Sequence, residues 1–235
     1  ADRRRFCPKG ECGAALTPRM LRIALPLASS AYARSALNTF RQLLVPRGLR
    51  LSGLSSESAL AGYGVINGMA MPVLLLPTCL PLSVAELLVP ALTEMQVARE
   101  HGRVRRSVRE MLGKTFLLSL GAAAAFFVFA RPLGMLLYGS AEAARFLRLL
   151  APMVPFLYTD IVTDGCLKGL GQMMASMAFN IAEAALGLVL VWALLPRWAL
   201  TGYLVTLYIC EVFNFTLSLL RLRHVIKVVN GDGSR

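Results

Sequence analysis

The stretch YTDIVTDGCLKGLGQ (158–172) places Asp160, Asp164 and Lys168 four residues apart in an otherwise oily part of the chain. On an α-helix that spacing stacks the three side chains on one face, about one turn apart. Asp164 before Lys168 is the favourable acid-before-base order for an i, i+4 ion pair. A salt bridge at the helix rim is the expected role of those two, and Asp160, deeper in the span, is the candidate to pair with a cavity arginine. A second polar series lies in IALPLASSAYARSALNTFRQLLVP, where Ser30, Arg34, Asn38 and Arg41 follow at i, i+4, i+8 and i+11. That is one helical stripe, with two arginines and no acid on the same helix. Guanidinium stays charged and binds phosphate bidentately, so the stripe suits an anionic ligand. For Arg41, snorkelling to the membrane interface is an equally good account.

Two further pairs, Asn180 with Glu183 and Glu211 with Asn214, stand at i, i+3. Such groups join helices without any role in transport, and that is the plainer reading. Intramembrane carboxylates also serve proton relays, which keeps a coupling role open.

The elements that carry these residues are set by their solvent. Of 235 residues, 56% are hydrophobic and only 16% charged, with a mean hydropathy of +0.60. A soluble domain has nearer a quarter of its residues charged. The apolar residues fall in long blocks such as FLLSLGAAAAFFVFA (116–130) and AALGLVLVWALL (184–195). A hydrocarbon core needs about 20 mostly apolar residues per helical span. The expected class is therefore an all-α polytopic membrane protein. A β-barrel would show short alternating segments, and none occur.

Six spans are expected, over 20–45, 58–95, 111–131, 144–167, 174–195 and 199–220. They make a six-transmembrane-helix bundle over 20–220, between a cytoplasmic loop at 1–19 and a cytoplasmic tail at 221–235. The second span contains Pro72, Pro77, Pro81 and Pro90 and should be kinked or broken. Its freed backbone must then find partners in neighbouring helices or a watery cavity. Pro72 and Pro77 are the candidate hinge.

Net charge is +12, but the basic residues cluster between spans, which the positive-inside rule explains without nucleic acid. With 1–19 inside, 17 Lys and Arg lie on the cytoplasmic side against six outside, Arg34 and Arg41 being within the first span. Both ends are then cytoplasmic. The chain starts with an arginine-rich polar run and shows no signal-peptide pattern, so 1–19 reads as an internal loop of a longer chain.

Of five cysteines, Cys79, Cys166 and Cys210 lie in apolar segments, where Cys behaves as a small hydrophobe. Cys7 and Cys12, in CPKGEC, are half of a zinc pattern without a second half, and free thiols are the plainer reading. Asp160-x3-Asp164-Gly165 faintly suggests a polyprenyl- or CDP-lipid enzyme, yet two-metal chemistry needs more carboxylates than one cluster supplies. No enzyme, metal or cofactor is expected.

GYGVINGMAMPVLLLP, LVPALTEM, RPLGMLLYGS, LAPMVPFLYTDIVTDGCLKGLGQ and LLPRWALTGYLVTLYICEVFNF occur in one order along the chain. Together they resemble the stage V sporulation protein B branch of the polysaccharide-transporter flippases. That branch lies in the multidrug/oligosaccharidyl-lipid/polysaccharide (MOP) superfamily. The similarity runs from about residue 18 to 224. It implies one lobe of a two-lobed fold around a central cavity, matching the C-terminal half, with the N-terminal half of the same chain as its missing partner. It further implies a flippase in the bacterial inner membrane, carrying undecaprenyl-pyrophosphate-linked oligosaccharide or peptidoglycan precursor, with sporulation members serving the spore cortex. Arg34, Asn38, Arg41 and Asp160 would then bind cargo amid membrane lipids, with Arg34 on the pyrophosphate. Asp164, Lys168, Glu183, Glu211, Pro72 and Pro77 would serve structure or gating. Where the family often carries an acid near position 41, this chain carries Arg41. The same-fold alternative is a cation-coupled exporter of the multidrug and toxin extrusion type, which favours acids over arginines in its cavity. A scaffold without transport would make the cavity arginines dispensable.

The charge asymmetry makes a testable statement about topology. A cysteine at Ser107, with Cys7 and Cys12 removed, should resist an impermeant thiol reagent in intact cells. Ready labelling would reverse the orientation.

Overall fold

The computed structural model describes residues 12–51 and 56–232, all of them in helices or the short turns between. Residues 1–11 of the expected first loop, Cys7 among them, and residues 233–235 of the tail lie outside the described residues. Helix α1 (Cys12–Leu51) is followed by α2 (Ser56–Val65), a π-helical turn (Ile66–Ala70), α3 (Met71–Leu75), a 3-10 turn (Leu76–Thr78) and α4 (Cys79–Val97). Then come α5 (His101–Tyr138), α6 (Ala141–Leu150), a 3-10 turn (Ala151–Met153), α7 (Val154–Gly169) and α8 (Met173–Asp232). Joined through their turns, these form five helical units: α1, α2–α4, α5, α6–α7 and α8.

The expected six-transmembrane-helix bundle is corrected here. Among the described residues four helices are long and apolar enough to cross a membrane: Ser58–Val97, His101–Tyr138, Ala141–Gly169 and Met173–Lys227. Two physical causes reduce the number. Arg34, Arg41 and the polar residues between them dilute the apolar character of α1. The expected fifth and sixth spans belong to one helical run, α8, with no loop between them. A single residue, Ala199 (φ 47°, ψ −126°), breaks the helical backbone inside that run. Its two arms lie side by side, with Cys210 Sγ 4.0 Å from the Glu183 carbonyl. At the bend a Cβ on Gly202 would lie 2.7 Å from the Leu194 carbonyl oxygen, so the reversal needs glycine there.

Prolines interrupt the second unit over 66–78, and the interruption is satisfied by side chains. Pro77 has no N–H to offer the Leu74 carbonyl three residues earlier. The Tyr158 hydroxyl, fully buried on α7, donates to that carbonyl at 2.8 Å. In the π-helical turn, Asn67 Nδ2 donates to the Tyr63 carbonyl at 3.2 Å, and Tyr203 Oη donates to Asn67 Oδ1 at 3.1 Å. The Tyr63 and Tyr203 rings meet edge-on at 5.1 Å.

Helix α7 is the hub, packing on α4, α5 and α8, while α1 lies along α8. Gly165 and Gly169 form a small-xxx-small step that lets α4 approach α7 closely. A Cβ on Gly165 would lie 2.7 Å from Ala85 Cβ and 2.9 Å from its Cα. The Thr93 hydroxyl on α4 donates to the Gly169 carbonyl at 3.0 Å across the same contact. Outward faces carry exposed Leu, Phe and Val, such as Leu117, Val128 and Leu136. That is the surface a helix presents to lipid.

Because the atoms facing Gly165 are backbone and Cβ, they cannot rotate away. Gly165→Ala should cost on the order of 1–3 kcal/mol by overpacking, read as a lower thermal midpoint in detergent. Gly121→Ala on α5, where a Cβ meets open space, should stay within about 0.5 kcal/mol. Equal effects would dismiss the close approach.

Candidate functional site

Two adjoining cavities open where α1, α4, α7 and α8 meet. One, of about 510 Å³, is bounded by Ser30, Asn38, Ser176 and Met177 among others. The other, of about 490 Å³, is bounded by Glu86, Asp160, Glu183, Glu211 and Asn214. Arg34, Asp164, Lys168 and Asn180 line both.

Each polar series reaches this place for a local reason. The stripe on α1 faces α8, so Ser30, Arg34 and Asn38 open onto the same space. Asn180–Glu183 and Glu211–Asn214 lie on opposite arms of α8, and the bend at Ala199 sets them side by side. Asp160 and Asp164 come from α7, one turn apart.

Asp164 is anchored twice. Its Oδ2 lies 2.6 Å from Lys168 Nζ, and its Oδ1 accepts from the Ser176 hydroxyl at the start of α8. Nearby, Gln172 Oε1 accepts from Arg221 Nε at 3.2 Å and Nη2 at 2.6 Å. These contacts tie the end of α7 to both arms of α8. Deeper in, Asn214 Nδ2 donates to Asp160 Oδ2 at 2.8 Å, a contact buried from solvent. Asp160 Oδ1 and Asn214 Oδ1 are both buried without a hydrogen bond of normal geometry, with the Ser218 hydroxyl beside the Asp160 carboxyl.

Five acidic side chains (Glu86, Asp160, Asp164, Glu183 and Glu211) and two bases, Arg34 and Lys168, line the second cavity. Arg34 is exposed to the cavity, and the Glu183 carboxyl lies within electrostatic reach of Arg41 first and of Arg34. Arg41 lines neither cavity. It is half-buried against α8, where a Cβ on Gly187 would lie 2.9 Å from Arg41 Nη1. Pro72 and Pro77 sit in the helix interruption rather than in the cavity wall, although Leu75 and Thr78 beside them contribute to it.

Sequence reasoning passed over Glu86 and Ser176. Glu86 carried the same signal as the others, an acid inside an apolar span. Ser176 carried none, because a serine near a helix start has many ordinary uses. Among the described residues no group of three or more His, Cys, Asp or Glu could hold a metal ion.

The helical lobe with a polar cavity has known counterparts. The MatE family model matches residues 47–193, more than half of the chain. The chain belongs to the MatE family.

With four helices among the described residues long and apolar enough to cross a membrane, it is a multi-pass membrane member of that family. Two Bacillus subtilis (strain 168) proteins are similar to this MatE chain. Stage V sporulation protein B is 27% identical over 203 residues, covering 85% of this chain and 39% of that protein. Sporulation protein YkvU is 23% identical over 176 residues, covering 75% and 40%. The chain thus spans about two-fifths of the length of these relatives. The fold matches half of a multidrug resistance MATE family transporter of the MOP superfamily solved in an outward-facing conformation. That match has a TM-score of 0.74 at 15% identity, over 98% of this chain and 50% of the other. The resemblance seen in the ordered sequence motifs holds at the level of the superfamily and its sporulation relatives.

The anchoring of Asp164 predicts non-additive mutants. Lys168→Ala should cost more stability than Lys168→Ala combined with Asp164→Asn, because the single change strands a carboxylate in a partly dry site. The coupling should fall at about 0.5–3 kcal/mol in thermal unfolding of the four-member mutant cycle. Strict additivity would mean that the pair contributes nothing together.

Proposed function

We propose that this chain is one lobe of a two-lobed exporter of the multidrug and toxin extrusion type, moving a cationic amphiphile by alternating access. A proton or monovalent cation entering the lobe is its coupling partner. The observation that carries this reading is the buried acidic wall. Asp160 Oδ1 and Asn214 Oδ1 have no hydrogen-bond partner, in a cavity lined by five acidic side chains and two bases. Acceptor oxygens in a water-poor space favour a cation and disfavour an anion.

In this reading Asp160 and Asn214 take the coupling cation, with Glu211 a second acid beside them. Arg41 and Arg34 balance Glu183. The interruption at 66–78 lets the second helical unit bend as the lobe rocks against a complementary half. That half, a bacterial cell-membrane location and cytoplasmic ends are parts of the same proposal.

A second reading is supported by a different observation. Arg34, Lys168, Asn38 and Asn180 gather on the first cavity, a donor set suited to a pyrophosphate, and two similar proteins are sporulation proteins. It makes the chain part of a flippase for lipid-linked oligosaccharide or peptidoglycan precursor.

One pair of variants separates the two. In cells expressing the intact protein, Asp160→Asn should slow gradient-driven efflux of a dye cation such as ethidium by about tenfold or more. Arg34→Ala should leave it within about twofold, with membrane levels unchanged. Full efflux from Asp160→Asn would overturn the exporter reading. Rescue of a flippase-deficient strain that is lost with Arg34→Ala and partly kept with Arg34→Lys would install the flippase in its place.

A further inference from the structure

A third cavity, of about 360 Å³, lies away from the site, between the far end of α5 and α6. Arg131 of α5 and Arg145 and Arg148 of α6 line it together with Met135 and Leu149. The convergence is built by the fold. A Cβ on Gly134 would lie 2.6 Å from the Ala144 nitrogen, so α5 and α6 touch at backbone distance there. That contact brings Arg131 beside Arg145 and Arg148, which share one face of α6 at i, i+3. Ala143, Phe146, Leu147 and Leu150 are buried on the opposite face.

Arg148 is held in place. Its Nε donates to the Phe127 carbonyl at 3.3 Å, and its guanidinium lies over the Phe127 ring at 5.5 Å. The ion pairs among the described residues are Glu100–Arg103, Glu110–Lys114 and Asp164–Lys168, so none of the three arginines is ion-paired, not even to Glu142 one turn before Arg145. All three follow directly on apolar helix. Arg131 ends the block 116–130, and around it Phe127, Met135, Leu136 and Leu149 are exposed, Leu136 by 84%. The basic start of α5 at Arg103–Arg109 lies about 35–40 Å away along the helix. These arginines therefore stand at the membrane end opposite the basic loop, the end that charge-based topology depletes of Lys and Arg. Orientation does not account for them.

We propose that this pocket holds the phosphate headgroup of an anionic phospholipid. Three guanidiniums supply the bidentate donors that a phosphodiester accepts. The exposed apolar rim receives the acyl chains, which a free anion would leave bare. The site faces lipid rather than the transport cavity, and so operates independently of which cargo the exporter carries.

The test uses the intact protein in nanodiscs with equal phosphatidylglycerol and phosphatidylcholine, with retained lipid read by native mass spectrometry. Wild type retains phosphatidylglycerol preferentially. The double variant R131Q/R145Q, which leaves Arg148 on Phe127, loses that preference by about fivefold per arginine. R105Q/R109Q, at the opposite end of α5, keeps it. Where the double variant does not fold, Arg145→Gln alone carries the same expectation. An unchanged preference in R131Q/R145Q overturns the site, as does an equal loss in R105Q/R109Q. Inorganic phosphate binding in phosphatidylcholine discs, without lipid preference, would replace the lipid with a soluble anion and overturn the proposal.

Discussion

An apolar surround offers no water to a polar atom, and most of this architecture follows from finding such atoms partners inside the protein. Proline removes donors from the second helical unit, and Tyr158 of α7 supplies one to the Leu74 carbonyl. Asn67 and Tyr203 do the same at the π-helical turn. Many hydroxyls satisfy themselves on their own helix: Thr159 donates to the Pro155 carbonyl at 2.6 Å and Thr163 to the Thr159 carbonyl at 2.8 Å. This back-bonding lets a central helix carry threonines at no lasting desolvation cost. Among the described residues three buried side-chain atoms keep no partner, His101 Nδ1, Asp160 Oδ1 and Asn214 Oδ1, and the last two belong to residues of one cavity wall. A buried polar atom without a partner calls for an explanation such as a bound water or ion.

The second organising feature is backbone contact at glycine. Without a hydrophobic driving force between helices in lipid, close packing supplies much of the association energy. Gly165 and Gly169 bring α4 onto α7, Gly134 brings α5 onto α6, and Gly202 lets α8 turn back. Each of these contacts also positions polar chemistry. The first holds Glu86 opposite the Asp160–Asp164 ladder, the second assembles three arginines, and the last pairs the two acidic arms of α8.

Charge is thereby sorted in space. Glu86, Asp160, Glu183 and Glu211 line one cavity, Arg34, Asp164, Lys168 and Asn180 stand between it and the adjoining one, and three arginines line a pocket between α5 and α6. The proposed cation site and the proposed lipid pocket share no residue.

The all-α membrane class, the α1 stripe, the Asp160–Asp164–Lys168 ladder and the superfamily were legible in the sequence, because each rests on composition, helical period or ordered motifs. The number of spans was not. Apolar windows placed a break at 196–198, beside the bend at Ala199, whereas whether the two arms there are joined by a loop or remain one helical run depends on the backbone at that residue. Nor could period tell Arg34 from Arg41, which share a stripe. Arg34 opens into the cavity, while Arg41 folds onto α8, because Gly187 leaves room for its guanidinium there. The sequence by itself determined which groups could not be left in lipid. Which of them meet was decided by tertiary structure, since helix phase and close approach depend on the partner helix as much as on the chain that carries the charge.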